Sequence, residues 1–171
     1  MFRRILVTVD GSPTSMRGLK AALDLALDQR ASLDVLHIVD DMAITPALSV
    51  GYAPANYIES ILQSLRDGGR KILAKAEALA RDRGVEARPL LVETRGQTVA
   101  HAILQQARKQ KSDVIVLGTH GRRGIRRILL GSDAETVVRE SPVPVLLVRG
   151  VASPRRATPS KAAGSKTAAR R

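Results

Sequence analysis

The chain has 171 residues, 44% of them hydrophobic but only 2% aromatic, with no Cys, no Trp and a formal net charge of +12. That length suits one domain plus an extension, and the lack of cysteine excludes disulfides, thiolate metal sites and a cysteine nucleophile while fitting a reducing compartment. The first apolar run, Ile5 to Val9, stops at Asp10, too short for a secretion signal or a membrane span, so a soluble, cytoplasmic protein is expected.

Arg3 to Val9 is β-branched and leucine-rich, as a short buried strand would be. Asp10-Gly11-Ser12 closes it, and Ser12 before Pro13 predicts an N-cap with proline at the first helical position. Met16, Leu19, Leu23, Ala26 and Leu27 then recur on one helical face to about Gln29, and Leu33 to Val39 follows as a second strand. From Asp40 to about Pro54 the period is lost and Pro46, Gly51 and Pro54 mark a loop or lid. Ile58, Ile61, Leu65, Ile72, Ala76 and Leu79 predict a long helix, with a kink or fray at Gly68-Gly69 because glycine is a poor helix former. Gly84 ends that helix, and Val85 to Val92 is a third strand that Pro89 assigns to an edge. A helix from Gly96 to Lys109, a strand from Asp113 to Leu117, a helix from Ser132 to about Glu140 and a strand from Val143 to Val148 complete the series.

Five strands alternating with four helices predict a doubly wound α/β fold, one parallel sheet of right-handed βαβ units covered on both faces. In the order 3-2-1-4-5, Asp10 and Gly118 flank one crevice at the carboxyl ends of the strands, where such sheets take ligands. The connection after the fourth strand is GTHGRRGIRRILLGS. Gly118 and Gly121 let backbone N–H groups approach an anion, Gly131 suits a φ > 0 turn, and Ser132 with Glu135 three residues on reads as a capping box. Arg122, Arg123, Arg126 and Arg127 can grip phosphate oxygens, and His120 lies among them. The pattern predicts a nucleotide-phosphate cradle without a Walker lysine or a GxGxxG turn; the alternative is a solvated surface loop.

The spacing Gly118-x2-Gly121-x9-Gly131-Ser132 resembles the ATP-binding signature of the universal stress protein family. Ile5 to Ser12, Val35 to Val39 and Ser141 to Val148 are similar, in order, to that family's opening strand with its acidic turn, its second strand and its closing strand. The resemblance runs from Phe2 to Arg149 and implies a Rossmann-like domain over residues 1–149, of the adenine nucleotide alpha hydrolase-like kind. It also implies ATP with Mg²⁺ as ligand, a homodimer paired through Val143–Val148, and a nucleotide-dependent sensor or regulator of the stress response. Carried over by position, Asp10 would contact the ribose or the Mg²⁺, directly or through water, and Ile38 would meet adenine. Gly118, Gly121, Gly131 and Ser132 would hold the phosphates, with His120 and Arg122 beside them. Asp133 departs from the family pattern: in the first helical turn it suits the dipole but opposes a phosphate, unless Arg126 or Arg127 neutralises it.

Each assignment has a structural alternative: an Asx-type turn for Asp10, simple burial for Ile38, helix capping for Ser132. No residue is placed to orient a water for hydrolysis, so no catalytic residue is assigned and binding is favoured, with slow ATP turnover or self-phosphorylation left open. His37, His101 and His120 show no metal-ligand spacing. Two other classes stay open: a nucleotide-independent dimeric stress protein, and a nucleic-acid-associated protein. The second rests on residues 150–171, a tail expected to be disordered, in which Arg155, Arg156, Lys161, Lys166, Arg170 and Arg171 stand with no acid.

Overall fold

The computed structural model describes residues 1–44, 54–119 and 130–150. The elements are β1 (Arg4–Thr8), α1 (Pro13–Gln29), β2 (Ser32–Val39), a 3-10 turn (Asp41–Ile44), α2 (Ala55–Asp82), β3 (Ala87–Glu93), α3 (Val99–Lys109), β4 (Val114–Gly118), α4 (Ser132–Glu140) and β5 (Val145–Val148). All five strands are parallel in the order β3-β2-β1-β4-β5, the predicted topology.

Alternation along the strands feeds two apolar layers. Ile5, Val7, Val9, Val35, Val114 and Val116 pack with Leu19, Ala22 and Leu23 of α1 and Leu73, Ala76 and Ala80 of α2. On the opposite face Leu6, Leu36, Ile115 and Leu117 pack with Ala100, Ile103, Leu104 and Ala107 of α3 and Ala134 and Val137 of α4. Pro89 sits in β3, the outer strand beside β2, where one side of the backbone needs no ladder partner. Helix α1 begins as expected, with the Ser15 N–H donating to Ser12 Oγ at 3.1 Å and Pro13 in the first turn. Of its predicted stripe, Leu19, Leu23 and Ala26 are buried and Met16 packs against the core; the buried face also takes in Ser15, Gly18 and Ala22, while Leu27 is 49% exposed.

Two expectations are overturned. The fray expected at the glycine pair is absent, since α2 runs 28 residues without interruption. A Cβ on Gly69 would stand 2.6 Å from both His37 Cδ2 and Leu91 Cδ1, so glycine here lets the helix lie directly on β2 and β3; tertiary packing outweighs propensity. The helix expected from Gly96 starts at Val99 instead. Arg95 and Gly96 have φ of 50° and 81°, incompatible with a right-handed helix, and Thr98 is the N-cap, accepting the His101 N–H at 3.2 Å.

The glycine pair yields a direct test. Gly69→Ala should lower stability by about 1–3 kcal/mol through overpacking. Gly68→Ala, with nothing within 4 Å of the added Cβ, should raise it by about 0.5–1 kcal/mol. Urea denaturation of the two variants beside the parent measures both.

Candidate functional site

The site is assembled at the carboxyl edge, where β1 lies between β2 and β4. The registers Thr8↔Leu36 and Val7↔Val116, carried forward along the strands, bring Asp10, Ile38 and Thr119 to one level. Asp10 begins the turn into α1. Its Oδ1 accepts the Ser12 N–H at 2.9 Å, and its own N–H donates to Ser15 Oγ at 3.2 Å. The Ser15 hydroxyl donates in turn to Ser12 O at 3.0 Å. Asp10 therefore forms the Asx turn, and that role leaves the carboxylate half-buried at the edge. Below it, the buried His37 ring places Nδ1 2.7 Å from Val9 O and so ties β2 to the last residue before Asp10.

Gly118 ends β4 against the first turn of α1. A Cβ there would lie 2.9 Å from Thr14 Cγ2 and 3.3 Å from Ser15 N. One at Gly150, just past β5, would lie 2.9 Å from Thr14 Oγ1. The small residue at position 118 is thus required for helix packing whether or not an anion binds. Thr119 follows, buried, its N–H donating to Val148 O at 3.0 Å and its carbonyl accepting the Gly131 N–H at 2.9 Å. That last bond returns the connection to its own starting point, so Gly118 and Gly131, thirteen positions apart in the chain, share the base of one loop. Between them His120, Gly121, Arg122, Arg123, Arg126 and Arg127 lie outside the described residues.

The entry to α4 corrects the capping-box expectation. Gly131, not Ser132, is the N-cap, with φ −72° rather than a positive value, and no side chain among the described residues caps the helix. The Glu135 N–H donates to Gly131 O at 2.9 Å, an ordinary helical bond. Ser132 is the first helical residue, exposed, and its hydroxyl makes no hydrogen bond among the described residues. Asp133 and Glu135 are also exposed in this first turn, where they complement the dipole. Ile38 packs, half-buried, on the α3 and α4 face.

One feature of this edge escaped sequence reasoning. The Asp41 carboxylate lies 2.5 Å from Thr94 Oγ1 and accepts the Gly96 N–H at 3.3 Å, while the Asp41 N–H donates to Thr94 Oγ1 at 3.0 Å. The Thr94 hydroxyl, then the N–H groups of Gly96 and Arg95, hold the Asp41 carboxyl below the usual carboxylate range. This latch fixes the start of the segment after β2 to the turn after β3. Beside it Arg66 of α2 bridges Glu93 at 2.7 Å and Glu59 at 2.6 Å, which raises the guanidinium and lowers Glu93. A threonine directly after a strand and before Arg95-Gly96 was the available signal.

Among the described residues no cluster of three or more His, Cys, Asp or Glu could hold a metal ion, and no helix is long and apolar enough to cross a membrane. A lone carboxylate such as Asp10 suits Mg²⁺ that arrives on phosphates with most of its water shell retained, and does not suit a resident metal.

An open parallel sheet whose strand order reverses between β1 and β4 defines a doubly wound domain, and the reversal is where sheets of this class commonly take ligands. The chain belongs to the universal stress protein family, whose family model matches residues 1–149. Universal stress protein YxiE of Bacillus subtilis is 36% identical over 151 residues, covering 87% of this chain and all of the relative. The crystal structure of a universal stress protein family member from Burkholderia pseudomallei superposes with a TM-score of 0.67 at 33% identity, covering 85% of this chain and 94% of that one. The universal stress protein from Archaeoglobus fulgidus in complex with dAMP shares the fold, with a TM-score of 0.59 at 23% identity over 85% of this chain and 97% of that one.

The latch has a defined pH signature. Because the folded-state value of Asp41 is depressed, its stabilisation is complete above the unfolded carboxylate value of about 4 and is lost as the pH falls through the folded value. Asp41→Ala should cost about 1–2 kcal/mol at pH 7 by leaving Thr94 short of a partner, and the gap between variant and parent should close as the pH falls below about 4. Denaturation midpoints across that range measure it.

Proposed function

We propose that the carboxyl edge binds an adenine nucleotide, ATP with Mg²⁺, and that occupancy regulates the affinity of this stress protein for its partners. The observation that carries this reading is the Gly131 N–H to Thr119 O bond of 2.9 Å, which closes the glycine-spaced connection on itself beside Asp10 and Ile38. In the proposed complex the adenine lies near Ile38 and Asp10 contacts the ribose or, through water, the Mg²⁺. Gly118, Gly121, Gly131 and Ser132 receive the phosphates with His120 and Arg122 alongside, at the positive end of the α4 dipole. Mg²⁺, when bound with the nucleotide, would supply charge neutralisation to the phosphates. That a protein of this fold is in complex with dAMP supports an adenine nucleotide as the class of ligand. The role is one of binding, and no hydrolytic step is assigned to it.

Calorimetric titration of nucleotide-free protein with ATP and Mg²⁺ tests the site. Gly118 is a poor probe, because any Cβ there pushes on Thr14 and α1. Asp10→Asn, which keeps an acceptor for Ser12, should weaken binding about tenfold or more, the cost of a lost charge-assisted contact. Ser132→Ala should weaken it severalfold with an unchanged melting temperature. No saturable binding by the parent, or undiminished binding by both variants, overturns the nucleotide reading.

The domain is further proposed to dimerise through β5. Among the described residues that strand pairs with β4 alone, and Leu146 is 41% exposed, so an apolar edge is left to be covered. Val145 and Leu147 instead pack onto the α3 and α4 layer, which makes Val145 unsuitable as a surface probe. Leu146→Lys should convert dimers to monomers in sedimentation velocity at unchanged thermal stability; a persisting dimer sinks strand pairing as the contact.

A further inference from the structure

The amino-terminal edge of the sheet, opposite Asp10 and Gly131, carries charge for which nucleotide binding has no use. Helices α1, α2 and α3 all end there, and each closes with the same pair of backbone bonds. After α1 the Arg30 N–H donates to Leu27 O at 3.4 Å and the Ala31 N–H to Ala26 O at 2.9 Å. After α2 the pair is Gly84 to Arg81 and Val85 to Ala80; after α3 it is Lys111 to Arg108 and Ser112 to Ala107. This Schellman closure needs one residue in the left-handed region, and glycine is the residue that adopts it without strain. Helix α2 uses Gly84, at φ 71°, but α1 and α3 place Arg30 and Lys111 there, each at φ 53°. Two cations therefore occupy positions where glycine would strain the backbone less. Attraction to the helix carbonyl ends favours a cation anywhere in the last turn and does not select the strained position.

Arg30 approaches from the α1 face of the sheet and Lys111 from the α3 face. With Arg4, Arg88 and Lys109 they line an open groove of about 1030 Å³ across the amino ends of β1, β2 and β3. Of its two carboxylates, Asp34 is occupied by Arg88 through bonds of 2.7 and 2.8 Å, which leaves Glu86. Arg4, Arg30, Lys109 and Lys111 are exposed and make no ion pair among the described residues. From β3 to β4 is three strand spacings, about 14 Å, comparable with the axial length over which one strand of a duplex presents several phosphates, at about 3.4 Å of helix axis each. The groove lining contains no aromatic side chain on which a base could stack.

We propose that this edge is a sequence-blind binding site for the phosphate backbone of nucleic acid, separate from the nucleotide site and from the basic tail. Backbone contacts of this kind orient the chain without reading bases and weaken steeply with salt.

The test uses fluorescence anisotropy of a labelled single-stranded DNA of about twenty nucleotides over a salt series. The parent is the full chain with the tail silenced by Arg155→Gln, Arg156→Gln, Lys161→Gln, Lys166→Gln, Arg170→Gln and Arg171→Gln. It should bind at low salt. Adding Arg30→Gly with Lys111→Gly should weaken binding about tenfold or more and reduce the slope of log affinity against log salt by about 1.4, two contacts at roughly 0.7 each. The melting temperature should stay level or rise, because glycine relieves the left-handed strain. Arg30→Gln with Lys111→Gln, which keeps the strain and removes the charge, should lose the same affinity. Failure of the tail-silenced chain to bind, or binding undiminished in both pairs, overturns the proposal. Equal competition by poly-glutamate of matched charge also overturns it, in favour of an acidic protein surface.

Discussion

Strand β1 lies between β2 and β4 with Ile5, Leu6 and Val7 removed from water on both faces. A strand in that position can satisfy its N–H and C=O groups only through its two neighbours, so its pairing is obligatory. Everything at the carboxyl edge inherits its position from those ladders. Asp10 follows β1, Thr119 follows β4 and Ile38 is near the end of β2, and the parallel registers bring them level. Parallel strands entered from the same end also force every helix to start at that edge and finish at the other. The carboxyl edge thus collects helix N-termini and their unpaired N–H groups, and the amino edge collects helix carbonyl ends and the cations that close them.

The packing above this frame is set by close approach more than by side-chain bulk. Gly69 admits His37 and Leu91 against α2, and Gly118 admits Thr14 and Ser15 of α1. With a single Phe and no Trp in the chain, the layers are filled by Leu, Ile, Val and Ala. Helices then ride near the sheet, and a single added methyl group meets backbone or a buried ring. Polar ties join elements far apart in the chain: Asp113 Oδ2 accepts the Arg3 and Arg4 N–H groups at 2.7 and 2.8 Å, which lowers its carboxyl and holds the start of β1 to β4.

Much of the fold was legible in the sequence because its signals are local. Five short β-branched runs, Ser12-Pro13, and Pro89 in an outer strand each carry their meaning within a few residues. What misled were glycines. Gly68-Gly69 read as a weak point in a helix, because the ring of His37 that fills the space above Gly69 is more than thirty positions away. Gly131 read as a left-handed turn before a serine cap, whereas its N–H is committed to Thr119 O and its backbone is extended. Gly96 read as a helix start, because the Asp41 carboxylate that holds its N–H belongs to a different connection. In each instance the deciding partner was distant in the chain.

The sequence alone determined the element types, the parallel α/β class and the spacing of the Gly118–Ser132 connection, since these depend on propensity, periodicity and turn chemistry. It also located half of the +12 net charge in the last 22 residues. Only the tertiary structure decided that Gly118 and Gly131 meet at one base, that Asp41 latches to Thr94, and that Arg30 and Lys111 flank one groove. These depend on register and on which face each helix covers. Both are settled by burial summed over the whole sheet, and no short stretch of sequence contains that sum.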